Sequence, residues 1–161
     1  MQVNMKENDF IVSKTDLKGR ITYGNEIFIQ MSGYSEQELL NSPHNILRHL
    51  DMPAVVFKLL WARLKEKLSI NAYVKNRCKN GDFYWVFANV TVSLDKEENV
   101  IGYYSVRRKP KDSALNIVEN LYKTLLKEEK EHGVSSAEKL LTTILNDKGV
   151  SYDEFIISLQ K

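Results

Sequence analysis

The period of the apolar positions changes along the chain, and each change marks an element. Residues 9–14, Asp-Phe-Ile-Val-Ser-Lys, and Ile21-Thr-Tyr-Gly24 read as two short strands, with Gly19 turning the chain between them. Between Asn25 and Leu40 the residues Ile27, Phe28, Met31, Leu39 and Leu40 fall at helical spacing, broken at Gly33, which predicts two short helices. Ser35 and Glu38 have capping-box spacing and start the second. The stretch 44–52 mixes polar and aliphatic side chains and suits a short helix or turn. From Pro53 to Lys67, the residues Val56, Phe57, Leu60, Trp61 and Leu64 mark one face of an amphipathic helix, with Pro53 expected in its first turn.

Residues 71–79 and 82–94 are strand patterns joined at Asn80-Gly81, a tight-hairpin signal that calls for positive φ. Along the second strand Phe83, Trp85 and Phe87 alternate with Tyr84, Val86 and Ala88, so both faces carry apolar bulk and each must pack against something. A last strand over 100–108 follows the acidic turn 95–99 and ends before Pro110. Beyond it Leu115, Val118, Leu121, Tyr122, Leu125 and Leu126 predict a long helix, followed by shorter ones over 135–146 and 151–160. The class is therefore α+β, with one domain-sized unit over 9–110 and a helical extension over 111–161.

Composition narrows the chemistry. The 161 residues are 43% apolar and 27% charged, and 23 basic against 21 acidic residues leave a net charge of +2 spread along the chain. No basic block suggests nucleic-acid binding. The single cysteine, Cys78, excludes an intramolecular disulfide and a Cys-rich zinc site, and reads as a packed thiol. The first residues lack the apolar run of a signal peptide, and no stretch approaches the roughly 20 apolar residues that span a bilayer. A cytoplasmic location without direct membrane insertion is the expectation. No nucleophile elbow, Walker loop or His-carboxylate metal spacing is present, and His44, His49 and His132 do not form a zinc set, so an enzyme is not expected.

The element order, together with Asn25-Glu-Ile-Phe-Ile-Gln-Met-Ser-Gly-Tyr34 and Lys75-Asn-Arg-Cys-Lys-Asn-Gly-Asp-Phe-Tyr-Trp-Val86, resembles a PAS domain. That resemblance implies a PAS fold: a five-stranded antiparallel sheet with short helices and one longer helix over one face, here followed by C-terminal helices. The segment Pro43-His-Asn-Ile-Leu-Arg-His-Leu-Asp-Met-Pro53 is more specific, being similar to the one by which aerotaxis-receptor PAS domains hold FAD. On that resemblance Arg48, His49 and Asp51 are FAD-binding residues. Asn76 faces the polar edge of the flavin ring, Phe57 and Trp61 form an apolar wall, and Asn25 contributes to cofactor retention. Leu50 stands where the family has Pro, Val86 where light-sensing relatives place a second Asn, and no cysteine occupies their adduct-forming position, which argues against blue-light adduct chemistry. Each residue also has a scaffold reading: Asn25 as a helix cap, Asp51 as a cap for the following helix, Phe57 and Trp61 as core, Asn76 as a bond to a loop.

The function implied is a redox sensor that relays flavin state to a separate membrane-anchored, chemoreceptor-like signalling protein of the HAMP type, as in bipartite energy taxis. Self-association is suggested by Phe83, Trp85 and Phe87, which would otherwise form an exposed apolar patch. Two alternatives remain open: a haem-binding gas sensor with His49 or His44 as axial ligand, and a cofactor-free interaction module.

Overall fold

The computed structural model describes residues 1–161. Strands β1 (Ile11–Thr15), β2 (Ile21–Gly24), β3 (Ile70–Arg77), β4 (Phe83–Leu94) and β5 (Val100–Arg108) form one antiparallel sheet in the order β2-β1-β5-β4-β3. The β3–β4 hairpin closes with Cys78 N–H donating to Asp82 and Gly81 N–H to Cys78. Only Gly81 takes positive φ (92°) there, so the turn is a three-residue loop rather than the two-residue Asn-Gly form expected from sequence.

Helices α1 (Glu26–Ser32) and α2 (Glu36–Leu39), a short 3-10 helix (His44–Leu47) and α3 (Ala54–Lys65) cover the inner face of the sheet. The expected capping box at Ser35 and Glu38 is present. Pro53 is the cap of α3 rather than part of its first turn, and it offers no side-chain bond. The N–H groups of Ala54 and Val55 donate instead to the two carboxylate oxygens of Glu129, at 3.0 and 2.7 Å. A residue 75 positions away thus does the capping that sequence reasoning offered to Asp51.

Glu129 belongs to α4 (Asp112–His132), which with α5 (Val134–Lys148) and α6 (Tyr152–Leu159) forms the extension. These helices share one core with the sheet: Ala114, Val118, Tyr122 and Leu125 of α4 and Phe155 and Ile156 of α6 cluster with Tyr73, Trp85 and Phe87. Trp85 and Phe87 are buried under them, so this face packs against the extension as its apolar bulk required, and the reason for self-association through it is removed. The Tyr122 hydroxyl donates to the Tyr73 carbonyl at 2.6 Å and that of Tyr152 to the Asn71 carbonyl at 2.9 Å. Both bonds satisfy the free edge of β3, whose other side pairs with β4.

Candidate functional site

Side-chain parity decides what the inner face presents. The registers Asn76↔Tyr84, Ala88↔Arg107 and Ser13↔Ser105 put these residues on one side of the sheet, beneath α3 and the 3-10 helix. Between the layers lies a cavity of roughly 320 Å3. Phe57, Leu60, Trp61, Leu64, Val74 and Val90 supply its apolar walls. Its polar lining is in part deeply buried, with Asn76, Arg107 and Ser13 only 4, 2 and 1% exposed. Lys18, Asn45, Arg48 and Trp61 are exposed lining residues and mark the mouth.

The structure brings Arg48, Phe57, Trp61 and Asn76 together at this cavity and leaves Asn25, His49 and Asp51 out of its lining. Arg48 forms an isolated bridge with Asn76 and lays its guanidinium over the Phe57 ring at 4.4 Å. The next residue in this extended segment projects elsewhere. His49 packs edge-on to Phe83, and its Nδ1 accepts the Asp51 N–H at 3.0 Å. Asp51 pairs at 2.7 Å with Lys75, whose ammonium stacks over Phe83 on the outer face. The Lys75 bond holds the Asp51 carboxyl below its ordinary range, and desolvation followed by the Lys75 charge lowers His49. The Arg-His-Asp motif therefore straddles β3. Asn25 is the α1 cap: its Oδ1 accepts from Phe28 and Val12, and its amide donates to the Phe10 carbonyl.

Sequence reasoning missed the buried polar cluster opposite Asn76. The Arg107 guanidinium donates to Ser13 Oγ and lies 3.5 Å from His44 Nε2, while the His44 ring stacks on Phe28. Burial and then the Arg107 cation push His44 down to about 3, so the ring is neutral at neutral pH. Burial brings Arg107 to about 10, which leaves it charged. Arg107 Nε and the Tyr84 hydroxyl are buried without a partner. Cys78 is buried too; its thiol donates to the Met31 carbonyl, and burial raises its pKa, in keeping with a packed thiol.

Residues 21–107, more than half of the chain, match the family model described as the PAS fold. The chain belongs to the PAS fold family. It is 44% identical over 121 residues to the aerotaxis receptor of Escherichia coli, covering 75% of this chain and 24% of that protein. It is 27% identical over 97 residues to the nitrogen fixation regulatory protein of Klebsiella pneumoniae, covering 60% of this chain and 20% of the relative. This PAS protein therefore spans about a quarter or less of the length of these relatives. The light-state structure of the blue-light photoreceptor Aureochrome1 LOV superposes with a TM-score of 0.59 at 20% identity, covering 71% of this chain and 90% of that one. The chain thus carries a PAS domain of the aerotaxis-receptor type, and PAS domains are in general signalling modules rather than enzymes. No helix is long and apolar enough to cross a membrane.

Proposed function

We propose that the cavity holds the flavin ring of FAD and that the chain senses redox state through it. The observation that carries this reading is the buried polar lining of the cavity: Asn76 and Arg107 lie on one face of the sheet beneath apolar walls, and Arg107 Nε has no partner within the protein. Buried polar atoms without partners are costly, by about 1–3 kcal/mol each, and a ligand with a row of carbonyl and ring-nitrogen acceptors and donors would satisfy them. The Asn76 amide both donates and accepts, as such an edge requires. Ligand pockets run from about 300 to 1,000 Å3, so the roughly 320 Å3 here suits a three-ring heteroaromatic and not a whole dinucleotide. The phosphates would then lie at the mouth, where Lys18 and Arg48 offer positive charge. Trp61, half exposed and edge-on to Tyr103 at 5.1 Å, would close over the ring's apolar end.

The relay is part of the same proposal. A change at the ring is felt by Asn76 and transmitted through β3 to the C-terminal helices, and from them to a separate membrane-anchored, chemoreceptor-like protein at the inner face of the membrane. The 44% identity to an aerotaxis receptor supports this direction of signalling. A haem reading gains no support from the histidines, since His44 Nε2 is engaged with Ser13 and Arg107 and His49 lies outside the cavity lining.

The test is the visible spectrum of the purified chain, with chromatography of whatever heat releases. Flavin bands and released FAD, lost in Asn76→Ala with the far-UV spectrum unchanged, are the expected result. A Soret band, or a colourless protein that takes up no added FAD, overturns the reading.

A further inference from the structure

A buried guanidinium ordinarily rests on a carboxylate, because an isolated charge in the interior is costly. Arg107 does not. It is 2% exposed, lines the cavity from β5, and takes part in no ion pair of the protein. Its surroundings are a serine hydroxyl, a neutral imidazole and, at 4.8 Å, the face of Phe28. None of these carries a negative charge, and one Arg107 donor, Nε, is left with no partner. A cation held dry and unpaired beside a ligand cavity is arranged for an anion or for negative charge that develops there.

We infer that Arg107 is the group through which the cavity responds to charge: its guanidinium holds the reduced flavin ring in the anionic form. The inference rests on the flavin reading given above. In this arrangement reduction adds two electrons, from a donor such as a reduced quinone, and one proton, which goes to ring N5. The second proton, which N1 would take in water, stays in solution. Arg107 keeps its own proton and balances the negative charge that the ring would then carry. The strong dependence of such an interaction on its dry setting follows from the low local dielectric. Arg107 sits directly opposite Ala88 and Ile11 in the sheet, so the charge change acts on the central strands and not only on a loop.

The deciding measurement is the midpoint potential of the FAD-loaded chain, titrated with dithionite at several mildly acidic pH values, where flavin free in solution takes up two protons. One proton per two electrons gives a slope of about 30 mV per pH unit, and two protons about 59 mV. The expected slope is the lower one for wild type and for Arg107→Lys, and the higher one for Arg107→Gln, whose potential also falls and whose reduced spectrum becomes that of the neutral ring. A wild-type slope near the higher value overturns the inference without any variant, and so does an Arg107→Gln protein that holds FAD with the wild-type slope. In both cases the flavin reading survives. A chain that takes up no FAD overturns both.

Discussion

Glu129→Ala tests whether α4 holds α3 in place. The carboxylate receives the N–H groups of Ala54 and Val55, and no other side chain caps this helix. Capping side chains are worth about 1 kcal/mol, with charge and the helix dipole adding to that when the group is partly buried. Glu129 is partly buried, so we expect a loss of about 1.5–2 kcal/mol for the alanine variant and a midpoint lowered by about 3–8 °C. Glu129→Gln keeps one acceptor but turns an NH2 toward the second donor, so it should fall between alanine and wild type. Urea unfolding followed by circular dichroism gives the stability change, and amide exchange at Ala54 and Val55 reports the cap itself. Glu131→Ala, at an exposed position two residues on, is the control. If Glu129→Ala costs no more than the control and the two amides stay protected, the α4–α3 link does not hold the helix and the reasoning fails.

Other outcomes follow from the same kind of accounting. Tyr122→Phe removes the 2.6 Å bond to the Tyr73 carbonyl and leaves a buried acceptor open, so it should cost about 1–3 kcal/mol by urea titration. In Gly102→Ala the new Cβ would stand 2.2 Å from the Thr15 carbonyl oxygen of the neighbouring strand; backbone must move, and a loss of about 3 kcal/mol or a failure to fold is expected. His44 has a folded-state pKa of about 3 against an ordinary 6.5, so the unfolded chain binds the extra proton between those values. Its contribution to stability is therefore complete above pH 6.5 and declines as pH falls toward about 3, with a limiting slope of about 1.4 kcal/mol per pH unit. His44→Gln should flatten the urea-midpoint profile between pH 6.5 and 5, whereas a profile as steep as wild type would show that the ring is not held neutral.

The hairpins and helices were legible because their signals are local: Asn80-Gly81, the Ser35–Glu38 box and the Val56-to-Leu64 stripe each lie within one turn or one helix. Four of the seven residues singled out in the sequence, Arg48, Phe57, Trp61 and Asn76, do meet at the cavity. Motif spacing could not divide the Arg48–Asp51 segment, since a run of residues carries no statement of which side of a neighbouring strand each will take. Asn25 was ambiguous for a related reason, because a capping amide and a ligand amide look alike in sequence. Arg107 did leave a signal. Strand parity puts Arg107 and Arg108 on opposite faces, so one of two adjacent arginines had to point inward, on the same side as Ser105. Glu129 left none: it stands in the charged run 127–131, and its partner lies far away in sequence.

Strand β3 is where the site and the extension meet, and its position limits how the proposed signal could leave. Asn76 faces the cavity and pairs with Arg48, Lys75 donates its N–H to Met52 Sδ at 3.2 Å, and the carbonyls of Tyr73 and Asn71 are held by Tyr122 and Tyr152. The motif segment thus holds one half of the strand edge and the C-terminal helices the other. At the opposite edge of the sheet, β2 is also occupied, with Ile21 exchanging bonds with Ser42 and Asn41. A partner cannot add a strand to either edge without first displacing these groups. Side chains on the helices would then be the route for the proposed relay: α4 touches both ends of the path, through Tyr122 on β3 and Glu129 on the helix that roofs the cavity, and so does α6, through Tyr152 on β3 and Asp153 on Arg63 of that helix. A shift of β3 relative to α3 would strain those contacts against each other, which is how the proposed relay would reach the C-terminal helices.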